Sequence, residues 1–84
     1  MTREEKIQSL LILLRDYKRL YADYVNIRRR VLESHIIYPE DKIKVLDARI
    51  DECQEQWGSY FKDLNALVGK KAMKMWIDFN YYSK

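Results

Sequence analysis

The middle of the chain carries an unbroken seven-residue apolar repeat. Ile43, Leu46, Ile50, Cys53, Trp57, Tyr60, Leu64 and Leu67 fall at alternating steps of three and four. Residues spaced this way share one stripe of an α-helix, so the segment must form a long helix that buries the stripe against another helix. The repeat names no ligand and no reaction.

Composition narrows the alternatives. Two glycines and one proline among 84 residues leave little room for a strand-and-turn fold. With 48% hydrophobic and 35% charged residues the chain belongs with folded proteins, and its length fits a single domain over residues 1–84. The longest apolar run, Leu10 to Leu14, falls far short of the ~20 residues that cross a bilayer. The charged start, MTREEKIQ, reads as no secretion signal, so a cytoplasmic (intracellular) location is expected. One cysteine and one histidine form no internal disulfide and no zinc framework. Glycine-rich phosphate loops, nucleophile elbows and zinc motifs are absent from the sequence. The expectation is a protein with no metal, no cofactor and no catalytic residues.

Three helices account for the pattern. The first spans about residues 2–34, with Thr2 as N-cap and Glu5 as the other half of a capping box. Its apolar face is broad. Ile7, Leu10, Leu14, Tyr17, Tyr21, Tyr24 and Val31 form the central stripe, Leu11, Val25 and Leu32 widen it on one side, and Leu13, Leu20 and Ile27 on the other. A face that wide serves more than one neighbour. Residues 35–38 read as the connection, and Pro39 opens a second helix over about 39–68, where its missing N–H has no helical partner to lose. Gly69 is placed to take a left-handed conformation at the helix end, while Gly58, inside the helix, is a candidate for a close helix crossing. A short third helix covers about 70–80, with Met73, Trp76, Ile77 and Asn80 expected on one side, where the first three can cap the hairpin core. The predicted fold is all-α, a long antiparallel coiled-coil-like hairpin plus a short C-terminal helix.

Two helices of about thirty residues, each roughly 45 Å long, cannot cover their own apolar surface. A homodimeric four-helix bundle or tight docking on a protein partner is expected. The alternative is a compact monomer whose first helix breaks near Tyr21–Asp23.

Charge is distributed in blocks. Residues 1–38 hold eight basic and five acidic side chains (+3), 39–69 hold four and seven (−3), and 70–84 hold four and one (+3). Such alternation suits an antiparallel pair, and equally a basic surface for phosphate or an acidic partner. Arg15, Arg19, Arg29 and Arg30 share the outer face of the first helix, with Asp16, Asp23 and Glu33 close by. Lys70, Lys71 and Lys74 sit beside Met73, Met75, Trp76 and Phe79, a mixture that can stack bases between phosphates or dock on a partner or a membrane surface. Arg28 occupies a core-type position; in an antiparallel hairpin it lies near Leu46 and Asp47, where an Arg28–Asp47 pair would fix the register, or it snorkels to water. His35 reads as a loop residue, Cys53 as a small buried hydrophobe, and Asp51, Glu52 and Glu55 as a solvated acidic face. The expected function is non-enzymatic binding, as an adaptor or a regulator (inhibitor) of a protein partner, through Arg15, Arg19, Arg29, Arg30, Lys70, Lys71, Lys74 and Trp76. The alternative is nucleic-acid binding by the same basic residues.

Overall fold

A computed structural model describes residues 2–33 and 40–82 of the chain. It is all-α: α1 spans Arg3–Glu33 and α2 spans Glu40–Val68, and a 3-10 turn over Gly69–Lys71 leads into α3, Ala72–Tyr82. No strand occurs among the described residues. The predicted connection, with Pro39 and His35, lies outside them.

Local chemistry sets the ends. The Glu5 N–H donates to Thr2 Oγ1 at 3.1 Å and the Lys6 N–H to the Thr2 carbonyl at 3.0 Å, which satisfies donors that the first helical turn leaves open. Glu4 and Glu5 in α1, and Glu40 and Asp41 in α2, face the positive ends of their helix dipoles. At the other end of α2 the Arg3 guanidinium donates to the Leu67 carbonyl at 2.8 Å, tying the start of α1 to the end of α2. Gly69 has φ +65°, the left-handed conformation that stops α2 and turns the chain into α3. Gly58 makes no close crossing, since a Cβ there would meet nothing within 4 Å; the crossing expected at that position is not formed.

α1 and α2 run antiparallel. Tyr17 meets Tyr60, Tyr21 meets Gln54 and Arg28 meets Asp47, so numbers rise on one helix as they fall on the other. All eight heptad residues of α2 are buried or half-buried. α1 is continuous from Arg3 to Glu33, so the break near Tyr21–Asp23 does not occur.

The hairpin is packed unevenly along its length. Ile7, Leu10, Leu11, Leu14, Leu64, Ala72 and Trp76 form the buried cluster, with Trp57, Phe61, Met75 and Phe79 against it. This is the end where α3 supplies a third wall. Among the described residues none of α1 beyond Leu14 and none of α2 before Cys53 is fully buried. Two helices touch along one stripe only, so the loop half remains wet on both flanks. The molecule measures 50 × 22 × 22 Å, with a radius of gyration of 15.9 Å, against about 12 Å for a compact domain of this length.

Candidate docking surface

α3 is apolar on two sides. Its inner stripe is Ala72, Met75, Trp76 and Phe79. Trp76 is only 6% exposed, and its ring stands edge-on to Trp57 at 5.8 Å and 74°, while Trp57 stacks on Phe61 at 5.2 Å. These offset and T-shaped arrangements are the favoured aromatic geometries. The Trp57 Nε1 atom in this cluster is buried with no hydrogen-bond partner among the described residues, a cost the ring packing must offset.

The outer side of α3 holds Met73, Ile77 and Tyr81, four residues apart and so one above another. Ile77 is 56% exposed and Met73 half-exposed. The sequence pattern puts Met73, Trp76 and Ile77 on one side and also offers Trp76 to a partner; in the structure that side is split, with Trp76 turned inward and Met73 and Ile77 outward. The aromatic pair Trp57 and Phe61 draws the larger indole inward, since a buried aromatic contributes more area than isoleucine. Lys70 and Lys71 in the turn, and Lys74 in the first turn of α3, are exposed beside the outer stripe.

The arginines of α1 divide between two environments. Arg15 is half-buried, its guanidinium 5.8 Å from the Phe79 ring centroid and its Nε 3.4 Å from Asp16 Oδ1. Lys18, one turn on, lies 5.7 Å from the centre of the Trp76 ring. Both cations are thereby drawn onto α3. Arg19, Arg29 and Arg30 stay at the surface, with Arg29 Nε 4.0 Å from Glu33 Oε1. Arg28 donates from Nε to Asp47 Oδ1 at 2.6 Å across the hairpin.

An open aromatic trough of about 520 Å³ lies between Tyr17, Lys18, Tyr21, Cys53, Gln54, Trp57 and Trp76. Tyr17 packs on Tyr60 at 5.6 Å, and Gln54 Nε2 donates to the Tyr21 hydroxyl at 3.4 Å. Burial first, then the neighbouring Glu52 carboxylate, pushes the Cys53 thiol above its ordinary value, with Arg49 opposing. Burial and the nearby Tyr60 likewise raise the Tyr17 hydroxyl. Cys53 is 3% exposed on the buried stripe of α2, where a thiol packs as a small hydrophobe.

Among the described residues no three His, Cys, Asp or Glu side chains approach closely enough to hold a metal ion, and no helix is long and apolar enough to cross a membrane. No protein-family model matches the sequence, and neither the curated proteins nor the solved structures compared with it give a match.

Proposed function

We propose that this chain is a non-enzymatic helical binding module, an adaptor or a regulator (inhibitor) of a protein partner, working as a homodimer. The observation that carries the reading is the second apolar stripe of α3. A helix needs one apolar stripe to join its own core, and α3 spends Trp76 on that while leaving Met73, Ile77 and Tyr81 facing water. Apolar anchors one turn apart are the way a helix enters a hydrophobic groove on another protein. Lys70, Lys71 and Lys74 beside the stripe select a groove with an acidic rim and speed the encounter. Arg19 and Arg30 extend the same positive field along α1, while Trp76 acts from inside by holding α3 in place.

Nucleic-acid binding by the basic residues draws on the same lysines. It is less well supported, because Arg15 is engaged by Asp16 and Phe79 and Arg29 leans toward Glu33, and phosphate binding needs a row of charge that neighbouring carboxylates do not offset.

The two readings separate under photo-crosslinking. A photo-reactive residue at Ile77 should give adducts with a protein larger than this chain, and the same residue at Glu55 on the far face of α2 should not. Adducts destroyed by nuclease would favour the nucleic-acid reading. Equal labelling from both positions, or none, would refute the α3 surface.

A further inference from the structure

One apolar row of α1 is only partly covered by α2 and α3: its first residue, Leu13, is half-buried, while Leu20 and Ile27 are exposed. Leu13, Leu20 and Ile27 recur every seven residues. A parallel row, Leu11, Lys18, Val25 and Leu32, runs on the α3 side of the helix, since Lys18 lies over Trp76. The contact with α2 falls between the two rows, so Leu13, Leu20 and Ile27 occupy the opposite flank. There Ile27 and Val31 join Val45 and Leu46 of α2 around an open trough of about 530 Å³. Leu20, Ile27 and Val45 are 40%, 44% and 58% exposed.

We infer that a second copy of this chain, running antiparallel, covers this flank. The inference rests on the self-association in the reading above and assigns it a face. The first support is area. The chain exposes 6648 Å², whereas a compact monomer of 10.3 kDa exposes about 5,350 Å². The surplus of about 1,300 Å², spread over the whole surface with the outer stripe of α3 included, is larger than the ~800 Å² that each partner contributes to a standard interface.

The second support is charge. Asp16, Asp23 and Arg30 form the next row along the flank, again seven apart. A two-fold contact uses one patch twice. An antiparallel copy that sets Leu20 of each chain against Ile27 of the other also brings each Asp16 beside the other chain's Arg30. A parallel copy would set like against like along the whole row. Asp23 then meets its own counterpart near the axis, at the open rim.

Light scattering coupled to size exclusion tests the face. The wild-type chain should run at twice 10.3 kDa, and Ile27→Arg at the single mass with unchanged helix content by circular dichroism. Val25→Arg, 37% exposed but on the α3 side, should remain dimeric. Should Ile27→Arg fail to fold, Val45→Arg replaces it at a more exposed position. A dimer that survives arginine at 27 and 45 would overturn this face and leave self-association standing. A monomeric wild-type chain at tens of micromolar would overturn both. Asp23→Asn should tighten the dimer a few-fold, the scale of one exposed like-charge pair; an unchanged dissociation constant would overturn the antiparallel register.

Discussion

Uneven packing along the hairpin makes Leu64→Ala and Ile50→Ala a matched pair of probes. Both residues lie on the same heptad stripe of α2, but Leu64 is wholly buried in the three-walled end and Ile50 only half-buried in the two-walled part. Leu64→Ala removes three carbons, about 2.4 kcal/mol of transfer free energy at ~0.8 per methylene. The cavity left among close-packed neighbours raises the loss to about 3–4 kcal/mol. At Ile50 water already reaches the site and refills it, so the loss should be about 1–1.5 kcal/mol. A chain of 84 residues has a total stability of about 4–13 kcal/mol, so the first variant stands near the edge of folding. With a midpoint shift of about 4–8 °C per kcal/mol, Leu64→Ala should melt roughly 12–32 °C below wild type and Ile50→Ala about 4–12 °C below, with the first shift about two to three times the second. Thermal denaturation followed at 222 nm, at one fixed protein concentration because self-association adds stability by mass action, reads both. Equal losses at the two positions would refute the claim that the buried core stops near the middle of the hairpin.

Other substitutions report on single features. Gly69→Ala should cost about 1 kcal/mol through its left-handed φ alone, since the added Cβ meets nothing within 4 Å; Gly58→Ala, equally unobstructed but in ordinary helix, should gain about 0.5–1 kcal/mol, and chemical denaturation should show the two signs. In the folded chain Cys53 should react with a disulfide reagent at pH 8 at least tenfold more slowly than after denaturation, and equal rates would remove it from the core. Because the folded state raises the Cys53 thiol above its ordinary 9.0, the unfolded chain loses that proton first; this contribution to stability is intact below pH 9 and fades as pH climbs through the folded-state value. A urea series from pH 8 to 11 should show the decline, and a rise would reverse the assignment. Arg28 and Asp47 are both more than a third exposed, so a double-mutant cycle should give a coupling of only ~0.2–1 kcal/mol; more than about 2 would show a pair far better shielded than the geometry allows.

Much of the fold was legible because one physical signal dominates α2. Eight apolar residues on one stripe admit a single helical phase, and all eight face inward. Thr2 as the N-cap, and Gly69 as the left-handed stop, were readable because capping depends on a few adjacent residues. The phase of α3 was not. Its eleven residues include Ala72, Met73, Met75, Trp76, Ile77, Phe79 and Tyr81, so two opposite faces are apolar and periodicity cannot choose between them. The choice is made by Trp57, itself stacked on Phe61, which meets Trp76 only after the turn at Gly69 has brought α3 back. Arg15 follows the same logic: the outer-face pattern is real, but α3 crosses it and takes the first arginine. Of the residues that charge and aromatic content offer to a partner, Lys70, Lys71 and Lys74 are exposed and Trp76 is buried.

Gly69 also makes the third wall of the bundle conditional on one dihedral angle. With an ordinary helical φ at that residue, the 29 residues of α2, the 3 of the turn and the 11 of α3 would join into a single rod of roughly 65 Å. Trp76 would then stand about 28 Å along the axis from Trp57, and the berth it leaves beside Leu11 and Leu14 would have the shape of another chain's α3. Two straightened chains could each fill the other's berth, restoring the contacts of α3 but not those of the turn itself, the exchange known as domain swapping. The residue that closes this molecule on itself is thus also the latch that decides whether its C-terminal helix belongs to its own bundle or to a neighbour's.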